Sequence, residues 1–223
     1  AIENTNSVEI HGSSEDDTLD LKLNTTGLGS LSVDGGDGTD TVILDPVNSG
    51  TVESPILSTI NTTGNIVVNA EDITINAEIN AANVTLTANT ADSTVVTDIA
   101  NVVAKTAAIN INRNISASGT LTASADVARN IAINSDNNIT DVVDDIITGK
   151  TFSDYIGVKL NSSSSANVLI NNGVTLAAAS VLLSAKTRGT VSLIASSTDL
   201  SITKLLAYNI FNENAIVSMN GVT

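Results

Sequence analysis

The chain has 223 residues, 42% of them apolar, enough hydrophobic material for one sizeable domain or two small ones. Aromatic residues make up only 2% and tryptophan is absent, so Val, Ile, Leu and Ala must supply the buried area of a thin, layered interior. Twenty-four acidic against nine basic residues leave a formal net charge of −15, which excludes nucleic acid as a partner and favours a cation that bridges carboxylates.

Cysteine is absent, which removes disulfides and thiolate metal sites and fits an exported bacterial protein as well as a cytosolic one. No apolar run approaches the roughly 18 residues of a membrane span, so no membrane insertion is expected. The opening AIENTNSVEI carries no initiator Met and no leader-like basic and apolar regions. NGVT closes the chain and also occupies residues 172–175, so the chain is expected to be an excerpt of a longer protein, ending inside a repeat.

In chain order, SVEI at 7–10 reads as the first strand. His11 is the sole histidine, which excludes His-based triads and multi-His zinc sites; it is expected as a surface residue of an edge strand. Residues 35–43, GGDGTDTVI, match in full the nonapeptide G-G-x-G-x-D-x-U-x of calcium-binding β-rolls. Glycines let the backbone turn with positive φ and present carbonyls, an aspartate adds charge, and the apolar residue starts the next strand. Residues 12–20, GSSEDDTLD, align with it at a spacing of 23, with Gly12 under Gly35, Asp17 under Asp40, Thr18 under Thr41 and Leu19 under Val42.

Stacked one coil apart, the two turns would hold Ca²⁺ between Asp17 and Asp40. Carbonyls of Gly35, Gly36 and Gly38, and Asp16 or Asp37, would complete the shell of six to eight oxygens. The competing reading is a metal-free stack of Asx-type turns. The spelling resembles the repeats-in-toxin nonapeptide family of secreted bacterial proteins, which implies calcium held between stacked turns and folding on export. That family runs many tandem copies; here there is one full copy and one degenerate copy, with Ser13 and Glu15 replacing glycines.

Further on, one phrase recurs: apolar, polar, apolar, polar, Ala. It appears at Ile66-Val68-Ala70, Ile73-Ile75-Ala77, Val84-Leu86-Ala88, Val181-Leu183-Ala185 and Val191-Leu193-Ala195, and more weakly at Leu121-Ala123-Ala125 and Ile131-Ile133. Period two predicts half-buried strands of about five residues, with Asn, Thr, Ser, Asp and Gly making the turns. NNG at 171–173 suits a left-handed corner. Spacings of 22 from Ile109 to Ile131, 23 from Val168 to Val191 and 18 from Ile66 to Val84 predict solenoid coils of roughly 20 residues.

Two stretches break the rhythm, TDIANVVAK at 97–105 and TDVVDDIITGK at 140–150, each expected as a short helix or loop, the second with Asp141 as N-cap and Gly149 as C′ residue. NSSSSA at 161–166 reads as a flexible loop, and NAIVSMN at 214–220 as a strand. The expected organisation is β-solenoid coils over 1–140, an irregular insertion or short helix over 141–160, and further coils over 161–223. The fold class is all-β, a β-solenoid with one or two short interruptions; an antiparallel sandwich or barrel is the alternative.

The phrases at 64–88, 114–125 and 171–196 resemble the repeat regions of large bacterial surface and secreted proteins, the filamentous-haemagglutinin-like adhesins. The resemblance implies a right-handed parallel β-helix used as a rigid stalk, filament or adhesive rod at the bacterial cell surface or outside the cell. The expected function is thus a non-enzymatic structural or adhesive segment, stabilised by calcium. Its partners would be neighbouring repeats, copies of itself stacked end to end, surface glycans or other cells.

The alternative is a carbohydrate-acting β-helix enzyme, a polysaccharide lyase or hydrolase. Against it stand two Phe, two Tyr, no Trp and only Arg113, Arg129 and Arg188 as arginines. Adjacent Asp144 and Asp145 read as a solvated pair. Ice binding is excluded because Val67, Asn69, Asn76 and Ser192 interrupt the outward Thr74, Thr85 and Thr87.

Overall fold

The alternating phrases fold as strands, each with one face turned inward. The computed structural model describes residues 7–25, 28–97, 99–101, 104–135, 155–195 and 204–220. Every helix or strand among these residues is a β-strand. The chain proceeds in laps. The first contains β1 (Ser7–His11) and β2 (Thr18–Leu23); the second β3 (Ser30–Asp34), β4 (Thr41–Pro46) and β5 (Thr59–Asn61). The third contains β6 (Asn65–Ala70), β7 (Asp72–Ile75) and β8 (Glu78–Ala81); the fourth β9 (Asn83–Thr97), β10 (Ile99–Asn101), β11 (Lys105–Ile111) and β12 (Ile115–Ala117). The fifth holds β13 (Thr120–Ser135), β14 (Tyr155–Ile170) and β15 (Leu176–Ala177), and the sixth β16 (Ser180–Ala195) and β17 (Lys204–Met219).

Successive laps add strands to the same three sheets. The first sheet runs β1, β3, β6, β9, β13, β16; the second β2, β4, β7, β11, β14, β17, with β10 also beside β14; the third β5, β8, β12, β15. All these pairings are parallel, which rules out the antiparallel alternative for the described residues. The loop between β4 and β5 contains an isolated antiparallel bridge, Asn48 to Leu57.

Register keeps like residues in columns. In the first sheet Val8, Leu31, Ile66, Val84, Leu121 and Val181 stack in that order. In the second, Leu19, Val42, Ile73, Ile109, Val168 and Val217 do the same. The four middle members of each column are sealed, at 0 or 1% exposure, each worth about 1.5–3 kcal/mol of apolar burial. One hydrophobic cluster joins all three sheets. Ala70, Ala88, Ala125 and Ala185 form a column of small side chains; Ala70 ends β6, whereas the other three lie inside long strands.

Asparagines tie another corner. Asn76 Nδ2 donates to Asp45 Oδ1 at 2.8 Å, Asn112 Nδ2 to Asn76 Oδ1 at 2.6 Å, and Asn171 Nδ2 to Asn112 Oδ1. The Asn171 N–H donates to Ile111 O and the Asn220 N–H to Ile170 O, so Asn220 repeats the backbone bond of Asn171. The shared NGVT string aligns Asn220 with Asn172 instead, one residue out of structural register. Gly173 turns with φ +79°, as the NNG corner requires.

Five expectations are corrected. The lap is not a constant 20 residues: neighbours stack at spacings of 18, 23, 36 and 60. Ile109 and Ile131 lie on different sheets, as do Val168 and Val191, because both main sheets use the same apolar phrase. Nor are strands uniformly short, since β9 has 15 residues and β13, β14, β16 and β17 have 16 each. Within 97–105, Ile99–Asn101 is a strand on β14; a free parallel edge outweighs a few residues at helical spacing, too few to nucleate a helix. The serine run lies inside β14, with Ser162 and Ser164 buried. Residues 136–154, with the second expected helix, lie outside the described residues.

Candidate functional site

Residues 35–40, GGDGTD, join β3 to β4, and residues 12–17, GSSEDD, join β1 to β2 one lap away. Glycine sets the path: Gly36 has φ +103° and Gly38 φ +132°, conformations that side chains rarely adopt. A Cβ on Gly36 would lie 2.1 Å from the Ser13 carbonyl oxygen. The turns therefore nest. Gly12 N–H donates to Asp34 O at 2.8 Å, Asp37 N–H to Ser13 O at 3.1 Å and Thr41 N–H to Asp17 O at 2.8 Å. Thr18 pairs with Thr41 and Leu19 with Val42, the register expected from the aligned turns.

Carboxylates climb this stack. Asp17 Oδ2 accepts the Ser13 N–H at 2.6 Å and the Ser13 hydroxyl at 2.8 Å. Asp40 Oδ1 accepts the Asp17 N–H at 2.9 Å, and Glu71 Oε2 the Asp40 N–H at 2.8 Å. Asp16 Oδ1 reaches the Thr39 N–H at 2.8 Å. Such charge-assisted bonds are about twice as strong as neutral ones.

The Ser13 amide and hydroxyl hold the Asp17 carboxyl below its ordinary value. Burial pushes Glu71 upward, with repulsion from Asp40 acting in the same direction. Burial also raises Asp72. Glu71 was not among the expected site residues; it joins because Asp72 pairs with Thr41, which places Glu71 next to Asp40.

Asp40 itself is 1% exposed, and its Oδ2 has no hydrogen-bond partner. That oxygen sits over Gly35, where a Cβ would fall 2.7 Å away, so the glycine makes room for the carboxylate. The residues expected to form a calcium shell are brought together only in part. Asp17 and Asp40 stack, but Asp16, Asp17 and Asp40 direct oxygens at backbone N–H groups. Asp37, with Gly36 and Gly38, instead lines a cleft. Among the described residues no three His, Cys, Asp or Glu side chains form a metal-holding group.

That cleft has a volume of about 370 Å³ and is lined by Asp34, Asp37, Asn69, Glu71, Thr87 and Asn89, among others. It occupies a step: β6 ends at Ala70, whereas its neighbour β9 continues to Thr97. Among the described residues no Lys or Arg lines it and no aromatic ring offers a stacking surface. Its carboxylates can accept hydrogen bonds from hydroxyls or hold a hydrated cation, and they repel an anionic chain. His11, on edge strand β1, is exposed, with Nδ1 3.9 Å from Asp34 Oδ2.

A second polar group lies between the sheets. Arg129 is 3% exposed; its Nη1 donates to Ser162 Oγ at 2.8 Å and Ser163 O at 2.7 Å. Its Nη2 lies 3.6 Å from Asp92 Oδ2. The sequence offers one clue to this cluster: Arg129 takes an inward place in the alternation between Val127 and Ile131. No protein-family model, curated protein or solved structure matches the chain.

Proposed function

We propose that the chain is a segment of right-handed parallel β-helix, a β-solenoid, serving as a non-enzymatic structural or adhesive part of an extracellular bacterial surface or filament-forming protein. One observation carries this reading: apolar columns run unbroken through six laps in both main sheets. Such a stack shares continuous backbone ladders along its axis and resists bending. The acidic cleft supports a non-enzymatic role, because it carries neither a base to hold an acidic sugar nor a ring to stack on one. The resemblance to filamentous-haemagglutinin-like repeats points to the same role.

The test is mechanical and chemical. Pulled from its ends, the chain should unfold lap by lap in separate force steps, and incubation with acidic polysaccharides should release no reducing ends or unsaturated products. A single unfolding step, or sugar cleavage, would overturn the reading. Binding to glycan arrays or to whole cells separates an adhesive segment from a spacer.

The uncommitted, buried Asp40 Oδ2 supports a second reading, a cation-stabilised turn. Calorimetric calcium titration of chelator-treated protein decides it. Stoichiometric heat that is lost in Asp40→Ala establishes calcium, whereas no heat and an unchanged melting midpoint leave the turn to its hydrogen bonds.

A further inference from the structure

The fourth lap lies on β14 in two registers. Ile99–Asn101 stands 60 residues from its partners Lys159–Asn161, whereas Lys105–Ile111 stands 59 from Ser164–Ile170. Three residues separate Asn101 from Lys105, but only two, Ser162 and Ser163, separate Asn161 from Ser164. The fourth lap thus carries one extra residue at this step. β14 pairs β17 in a single register from Tyr155 to Ile170, so the step lies on the fourth-lap side alone.

The local sequence does not hold the step in place. It falls in the run Ser162–Ser165, where moving it along β14 exchanges serine for serine. On the fourth-lap side the present position is the poorer one for burial, since Lys105 is half-buried and Ala104 exposed. Moved toward the corner within the serine run, the step would set Ala104 in place of Lys105 opposite Ser164, which the alternation of faces prefers. As it stands, Lys105 is near Glu71, whose carboxyl burial raises and the Lys105 charge lowers.

Arg129 meets the step from the facing sheet. Its strand keeps one register with β9 from Leu121 to Asn134, which sets Arg129 beside Asp92. From that fixed frame Nη1 donates to Ser162 Oγ at 2.8 Å and to Ser163 O at 2.7 Å, the two residues that span the step. A guanidinium buried to 3% exposure is costly to desolvate, and an apolar side chain packs such a place as well or better. Fixing a register is the best-attested use of a buried polar group of this kind.

We propose that Arg129 is the pin of this register step: by gripping Ser162 and Ser163 it sets which fourth-lap residues face the interior of the broad laps. Released, the step slides along the serines, Ala104 turns inward and Lys105 leaves the acidic stack.

The native chain has no cysteine, so paired cysteines read the register as disulfides, which form only where the Cβ atoms face each other. Ala108→Cys with Asn167→Cys, partners near the corner, should link in every background and shows that β11 lies on β14. Ala104→Cys with Ser164→Cys should stay unlinked with Arg129 in place and link in Arg129→Met. The gain is at least about tenfold, as expected when two charge-assisted bonds are removed. Arg129→Lys, which keeps the charge but not the fork, gives a second reading where Arg129→Met fails to form the corner link. Asp92→Asn leaves the grip on the serines intact and should lower the melting midpoint without the 104–164 link.

Three results would overturn the inference: the 104–164 link already present with Arg129, its absence from an Arg129 variant that forms the corner link, or its appearance in Asp92→Asn or Glu71→Gln but not in Arg129→Met. The last would give the register to the ion pairs instead of the serine grip. A melting midpoint that falls in Arg129→Met with no shifted link leaves Arg129 a stabilising residue only.

Discussion

Asp40 is the residue on which the glycine turn closes. Its Oδ1 caps the lap beside it while its backbone N–H is capped by Glu71, so truncation removes the acceptor of the part-buried Asp17 amide. Asp40→Ala is expected to cost about 1–3 kcal/mol in denaturant melts. Asp40→Asn keeps the acceptor and should cost less, whereas a cation-held turn would lose as much with Asn as with Ala. Asp72 supplies a pH signature. Its carboxyl is raised by burial, so the folded state holds the proton more tightly than the unfolded chain, and stability rises as pH falls from neutral toward the ordinary carboxylate range near about 4. Asp17, lowered by its bonds to Ser13, acts oppositely, and its contribution is lost as pH falls further. Melts across this range should show a maximum on the acid side of neutral, and Asp72→Asn should flatten the rise.

Among the elements, β13 and β14 are two of the four 16-residue strands that contrast with the short strands of the early laps. Their facing polar groups, Arg129 against Ser162 and Ser163, join strands whose contacting residues stand 33 and 34 apart. Arg129→Ala takes the guanidinium away from Asp92, from the buried Ser162 Oγ and from the half-buried Ser163 O. A loss of about 3 kcal/mol is expected, the low end for a broken buried pair because Asp92 keeps 22% of its side-chain exposure; chemical denaturation measures it. Sequence made the period-two phrase and the twin turns legible, because alternation and the Gly-Asp spelling are local. It did not reveal which sheet a phrase joins, since Ile109 and Ile131 belong to identical patterns. Glu71 stayed hidden because its role comes from a register 31 residues away, and the serine strand because its contacts with Arg129 span 33 and 34 residues.

Over the whole molecule, stability should fall toward both ends of the stack. The columns are sealed in the middle laps and half open in the first and last, and stacked laps draw most of their stability from their neighbours. Hydrogen exchange followed by mass spectrometry should therefore find β6, β7, β11 and the paired part of β9 slowest, with β1, β2 and β16 exchanging early. Uniform protection along the chain would contradict this and point to one cooperative unit.

The widening of the laps has a consequence for a chain under tension. Each lap advances the axis by one strand spacing, about 4.8 Å, whether neighbours stand 18 residues apart, as between Asn65 and Asn83, or 60, as between Asn130 and Thr190. At about 3.3–3.6 Å per extended residue, peeling the first frees roughly 60 Å of slack and peeling the second roughly 200 Å. The early laps, whose neighbours in the first sheet stand 23, 35 and 18 residues apart, therefore give way in smaller increments, while the last is a length reserve, able to dissipate a sudden pull over a long travel before the next lap is loaded.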